Sequence, residues 1–316
     1  FTGDFQWDSN LQVSFNRNTL KALSGTTAAS IVGYGQWSDV VCVSEIGKPL
    51  YNFYGYVVEG VYESLEDIEN SPKTAKHPSN GVYNRANTVW VGDLKYKDIN
   101  KDGVIDTQDR TDIGSPLPLF TFGWNNTFRY KGFDLNIFLN GSYGNKVLNY
   151  SLMNGPSGGL ASMRSAWVNQ NNDAIKDRAQ LVPIDPDKVY EDGSMWYNDI
   201  TNVKVANSGT KTPRPTLNDP NDNDRLSTRY IEDGSYLRIK NLTLGYTFPK
   251  RWMNKINFDN IRVYCNIQNL YTFTKYSGYD PEVGASTQDS SGYAYGVDNG
   301  RYPSPTTYSF GVSLTF

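Results

Sequence analysis

Apolar and polar residues alternate along this chain in discrete blocks, each the length of a strand rather than a helix. In Phe5-Gln-Trp-Asp-Ser-Asn-Leu-Gln-Val-Ser-Phe15 the odd positions are mostly apolar and the even ones polar. Between Phe120 and Tyr130 one face carries Phe120, Phe122, Trp124, Phe128 and Tyr130, opposite Thr121, Gly123, Asn125, Thr127 and Arg129. Lys131-Gly132 then predicts a tight hairpin into a third block, Phe133 to Tyr143. Leu242 to Phe248 alternates again and Ile261 to Ile267 follows. The chain closes with Phe310, Val312, Leu314 and Phe316 facing away from Ser309, Gly311, Ser313 and Thr315. Six strands are expected, starting near Phe5, Phe120, Phe133, Ser235, Ile261 and Tyr308.

The connections come in two sizes, and the sizes alternate. Lys131-Gly132 and the link from Pro249 to Asn260 are short, whereas segments 22–118, 144–234 and 278–306 are long and rich in Gly, Asn, Asp, Ser and Pro. Short turns at one end and long loops at the other are the habit of outer-membrane barrels. The expected fold is therefore all-β, a transmembrane antiparallel β-barrel with three long extracellular loops. If the chain ends in the periplasm, the last strand descends and the Phe5 strand ascends. Six strands cannot close around a substrate channel, so only part of a barrel is expected here.

Composition agrees with that picture. Aromatic residues are 14% of 316, with 23 Tyr and 28 Gly, yet mean hydropathy is negative. No run approaches the roughly 18 apolar residues of a membrane helix. Barrel strands escape that test because their two faces average out as polar. A net charge of -3 excludes a general nucleic-acid binder, which needs a basic face. The two cysteines, Cys42 and Cys265, suggest neither a disulfide framework nor a zinc site, and His77 reads as a surface loop residue. The chain starts at Phe1 without an initiator Met, which is expected of a mature or cleaved fragment.

One stretch carries site chemistry of its own. In Asp98-Ile-Asn-Lys-Asp-Gly-Val-Ile-Asp-Thr-Gln-Asp109 the residues Asp98, Asn100 and Asp102 fall at loop positions one, three and five. Gly103 takes the sharp turn, Val104 offers its carbonyl, Asp106 can ligate directly or through water, and Asp109 closes the loop. A hard divalent cation, calcium by preference, fits this spacing. Asp109 stands where a glutamate is customary, and its shorter arm makes bidentate closure harder. The flanks, Val89-Trp-Val91 and Ile113-Gly-Ser-Pro-Leu-Pro118, are not helical, so the cation is expected to pin irregular chain rather than to reorient helices.

Several blocks in order resemble the C-terminal part of a SusC/RagA-type TonB-dependent outer-membrane transporter. They are Gly92 to Asp106, Tyr130-Lys-Gly-Phe-Asp134, Asp233 to Tyr246, Asn269 to Glu282, and Tyr302 to Phe316. The resemblance implies a 22-stranded barrel in the bacterial outer membrane, surrounded by outer-membrane lipid and filled by a plug domain that this sequence does not contain. It further implies a SusD/RagB-like lipoprotein that captures oligosaccharide or peptide cargo. Import would be driven through TonB by way of the missing N-terminal part, and pairs of transporter and lipoprotein would dimerise. Oligosaccharide is the commoner cargo of the family. Phe310, Val312, Leu314 and Phe316 resemble the C-terminal signal read by barrel-assembly machinery.

The remaining candidates are weaker. Tyr51, Phe53, Tyr54, Tyr56, Trp90, Trp167, Trp196 and Tyr197 could stack on cargo or pack the loops together. The carboxylates of Asp185-Pro-Asp187, Glu191-Asp192 and Asp219 to Asp224 read as solvated loop residues, because no catalytic pairing can be seen among them. A calcium-stabilised adhesion or dockerin-like module would explain the acidic loop but not the apolar strand faces. A surface glycosidase would require a packed soluble core. Charge placed at Phe122, Leu135 or Val312 is expected to impair assembly, since these residues should face lipid.

Overall fold

The computed structural model describes residues 4–23, 30–35, 40–154, 177–216, 218–253, 258–284 and 292–316. Six long strands form one antiparallel sheet in chain order: β1 (Phe5–Ser14), β2 (Phe120–Tyr130), β3 (Phe133–Tyr143), β4 (Tyr236–Thr247), β5 (Asn260–Thr274) and β6 (Thr307–Thr315). The hairpin between β2 and β3 turns on Lys131 and Gly132, at φ 45° and 88°. Positive φ at both central residues gives the turn whose twist matches the strands it joins.

Register keeps one apolar face continuous across the sheet. Trp7 pairs with Phe128 and Leu11 with Trp124; Ile137 pairs with Leu242, Leu242 with Ile267, and Cys265 with Phe310. Two polar side chains interrupt this face, and each is met by an indole. The Trp7 Nε1–H donates to Asn126 Oδ1 at 3.1 Å, and the Trp124 Nε1–H donates to Ser9 Oγ at 2.9 Å. Such pairing removes the cost of a bare polar group facing hydrocarbon.

Alternation alone does not foresee what happens in β4. Its outward set runs Tyr246, Leu244, Leu242 and then Ile239, Leu237, because a bulge at Lys240 inserts one residue against β3. A single extra residue moves every following side chain to the other face unless the sequence parity also shifts. Here it does shift, and the apolar face survives.

The apolar face is banded. Aliphatic residues Ile137, Leu139, Leu242 and Ile267 lie in its middle. At the short-turn end, aromatic rings meet in a chain from Phe133 to Tyr246, Phe248 and Trp252, with centroids 4.5, 5.1 and 6.2 Å apart. At the opposite end Phe120 sits 5.4 Å from Tyr143, and Tyr271 sits 4.7 Å from Phe273. Rings with one wet edge and one apolar face gather at the two boundaries of a bilayer, so the two belts mark its limits.

The long segments are not irregular tethers. Residues Ser30–Tyr34, Val40–Glu45, Asn52–Gly55 and Thr111–Gly114 make a four-stranded sheet of their own. One buried core joins Tyr62, Ile68, Trp90, Leu94 and Ile105 of the first long segment to Ile200, Val203 and Val205 of the second. Another joins Val41 and Phe53 to Leu148, Tyr150 and Tyr230 of the second segment and Val297 of the third. Three stretches far apart in sequence thus build one cap at one end of the sheet.

Ile137→Arg, in the middle of the band, should cost about 2–4 kcal/mol and strongly reduce folded barrel, whereas Leu135→Arg and Phe122→Arg, nearer the belts, should cost less. Heat-resistant migration of the full chain in detergent on gels reads this directly; equal tolerance of arginine at all three positions would overturn the facing assignment.

Candidate functional site

The face opposite the lipid belts is polar and cross-linked from strand to strand. Arg129 donates to Asp8 at 2.7 Å, and Asn136 donates to both Asn125 and Thr127 at 2.9 Å. Arg262 of β5 reaches over β4 to hold Asp134 of β3, at 3.0 and 2.6 Å. Gly245 makes that reach possible, since a Cβ there would lie 2.4 Å from the Arg262 guanidinium. Asn266 repeats the pattern with Asn241 and Thr243, at 2.8 and 2.9 Å. Long side chains brace neighbouring strands in this way, and that is how a wall facing water can also be rigid.

At the cap end this wall continues into the third long segment through Arg238. Its side chain is nearly fully buried and holds Asp280, together with Glu282 at 2.6 Å and Thr272 at 2.8 Å. Asp280 also accepts the amides of Glu282 and Ser304 at 3.0 and 3.2 Å. The guanidinium and these bonds draw the Asp280 carboxyl below its usual range despite its burial.

A cleft of about 600 Å3 lies inside the cap. Asn84 and Arg85 come to it from the first long segment, Asn198, Arg214, Thr216 and Asn218 from the second. Arg214 is anchored: its guanidinium lies 2.8 Å from the buried Asp93 carboxylate, and its amide bonds Gly92 at 2.8 Å. Burial raises the Asp93 carboxyl, and Arg214 draws it partway back. Arg85 is held instead by the Tyr197 ring, 5.0 Å from its guanidinium carbon.

Behind Arg214 lies a buried amide network. Asn223 donates to Asp93 at 3.2 Å and to Asp219 at 2.7 Å, while its oxygen accepts the Leu94 amide at 2.7 Å. Asp219 is buried together with Asn221 and Asn223, which corrects the expectation that its carboxylate is solvated, whereas Asp222 is exposed as expected. Asp185, Asp187, Glu191 and Asp192 are exposed as expected. His77 needs a similar correction. Its side chain is mostly buried, 5.7 Å edge-on to Tyr83, and burial lowers its pKa.

The aromatic candidates divide. Phe53 and Trp90 are core residues, fully buried, and cannot touch cargo. Tyr51 packs on Tyr295 at 5.7 Å, Tyr54 stacks on Arg110, and Tyr56 lies between Tyr96 and Arg225. Trp196 and Tyr197 are half-exposed beside the cleft, and Trp167 lies outside the described residues. The free edge of the chain's last strand carries Phe310, Val312 and Leu314 outward, while Phe316 meets Phe258 at 6.4 Å.

The acidic loop folds as a tight turn around Lys101 and Gly103, at φ 64° and 85°. Asp98 accepts the amides of Lys101 and Gly103 at 2.6 and 2.8 Å, and Asp102 accepts that of Val104 at 2.9 Å. Asn100 donates to Asp102 at 2.8 Å, and Asp106 caps the short turn that follows it. Asp109 is fully buried, and its two oxygens accept the amides of Ile99 and Asp106, both at 2.8 Å. Among the described residues no three His, Cys, Asp or Glu side chains converge as a metal cluster. The oxygen donors nonetheless suit a hard cation, because each carboxylate oxygen bonded to an amide keeps a second lone pair.

No protein-family model matches the chain. TonB-dependent receptor P3 of Formosa agariphila is 30% identical over 99% of this chain and 27% of that protein. TonB-dependent receptor SusC of Bacteroides thetaiotaomicron is 24% identical over 100% of this chain and 25% of that one. The RagAB peptide transporter superposes with a TM-score of 0.62 at 17% identity, over 99% of this chain and 27% of the transporter chain. The chain thus spans about a quarter of the length of the relatives it matches. Two-faced antiparallel strands, paired aromatic belts and a polar inner wall define a section of a transmembrane β-barrel. Matched along its whole length by receptors of this kind, the chain fits part of a SusC/RagA-family barrel. Those relatives are receptors rather than enzymes.

Asp199 fixes the turn that presents Tyr197 and Asn198. Burial pushes its carboxyl up, but bonds from Lys188, Thr201 and Tyr190 outweigh this and hold it at about 2. A folded value below the unfolded one stabilises the cap above the ordinary carboxylate range, and that stability is lost as pH falls toward 2. Melting curves between pH 6 and pH 3 should show a smaller loss for Asp199→Asn than for the native chain; parallel curves would remove Asp199 from the account.

Proposed function

We propose that the protein works in the bacterial outer membrane as the barrel of a SusC-like importer of oligosaccharides. The cap end would face the medium, and the short turns the periplasm. The observation that carries this reading is the cap itself, three long segments packed into shared cores above a polar, cross-linked wall. A SusD-like lipoprotein would dock on the cap, and TonB would act through a part of the transporter outside this chain. The Asn, Thr and Arg side chains lining the cleft suit a hydroxyl-rich ligand better than an apolar one. Dimerisation of transporter and lipoprotein pairs, and recognition of the Phe310 to Phe316 strand during assembly, belong to the same reading.

Cells lacking the transporter should lose growth on oligosaccharides as sole carbon source while keeping growth on monosaccharides and on peptides. A defect confined to peptides would replace the cargo class, and no defect on either would overturn import.

Calcium is part of the proposal. Bound among Asp98, Asn100, Asp102, the Val104 carbonyl, Asp106 and Asp109, it would staple the segment between the cap core and the start of β2. Chelation should lower the cap's melting temperature by several degrees in the native full-length chain and leave Asp98→Ala unchanged. Identical melting with and without chelator would exclude the staple.

A further inference from the structure

We infer that the cap cleft is a recognition site for a carboxylate on the cargo, a uronic-acid residue of the oligosaccharide, with Arg85 as the residue that reads it. The inference rests on the oligosaccharide reading for its ligand class, but the charge argument stands without it.

Charge is distributed unevenly across the cleft wall. Its two ionised lining side chains are Arg85 and Arg214, and no carboxylate lines it. Arg214 is committed to the buried Asp93, which it meets at 2.8 Å from one nitrogen and 3.2 Å from another. Asp219 lies farther back, joined to Asp93 through the Asn223 amide. Arg85 has no carboxylate partner among the described residues. Among the described residues its Nε is buried without a hydrogen-bond partner, and its guanidinium lies over the Tyr197 ring. Burial and the neighbouring Arg214 disfavour its protonated form, and Tyr197 and the Asp93 carboxylate offset this only in part.

A buried donor without an acceptor is costly, and a guanidinium answers best to a planar carboxylate, whose two oxygens match its fork. Around it Asn84, Asn198, Thr216 and Asn218 supply neutral donors and acceptors, and the volume of about 600 Å3 is of the size that small-molecule ligands occupy. A charged sugar would therefore be oriented by one ion pair and gripped by neutral amides.

The test measures binding to the full-length transporter in detergent by calorimetry. The probes are a uronic-acid trisaccharide, the neutral trisaccharide of the same sugar series, and an acidic tripeptide with its amidated counterpart. The uronic-acid probe should bind about ten-fold or more tightly than the neutral one. Arg85→Ala should abolish that preference, and an unchanged melting temperature of the variant certifies that the cleft is folded. Arg85→Lys should keep part of the preference, since it retains charge but not the fork. Equal binding of charged and neutral sugars, or a preference that survives Arg85→Ala, would overturn the inference. Arg85-dependent binding of the acidic tripeptide, with no binding of either saccharide, would uphold a carboxylate site and overturn the oligosaccharide reading alone.

Discussion

A strand that crosses hydrocarbon has no water to satisfy its amides, so every one of them must find a neighbouring strand. That constraint fixes the rest of this structure. Pairing forces register, register forces each side chain to one face, and each face meets a different solvent. The Lys240 bulge shows how strictly the rule holds, because the one extra residue is accompanied by a shift in the parity of the apolar set. Polar residues stray onto the lipid face only at Asn126 and Ser9 among those described above, and each is answered by an indole.

The inner wall solves the opposite problem. Facing water, its side chains could each have been solvated independently, yet they bridge strands instead. Arg262 spans Gly245 to reach Asp134, and Asn266 spans to Asn241 and Thr243. A large residue beside a small one lets the ladder lie flat, and Tyr264 over Gly311 follows the same rule. Arg238 then carries this cross-linking upward, tying the sheet to the segment that begins near Asp280. Wall and cap are thus mechanically one object at that corner.

The strands, the hairpin at Lys131-Gly132 and the two-faced character of the sheet were legible in the sequence because alternation is a local property. The two aromatic belts were present in the same residues but show only once register aligns Phe133 with Tyr246 and Phe120 with Tyr143. Burial in the cap was not legible. Asn221 and Asn223 look like parts of a solvated turn until Leu94 and Asp93, more than a hundred residues earlier, bond to them. Trp90 and Phe53 were indistinguishable from binding rings for the same reason. Arg85 carried no signal at all, since a cation without a partner can be recognised only when its surroundings are known.

The cap cores also impose an order on biogenesis. Val41 and Phe53 are complete only when Leu148, Tyr230 and finally Val297 have arrived, across a separation of some 250 residues of chain. Until then the core residues of the first segment lack part of their packing. Completion of the cap is therefore a late event that reports the threading of everything before it. A cap that forms in this way is finished only after the wall beneath it is in place.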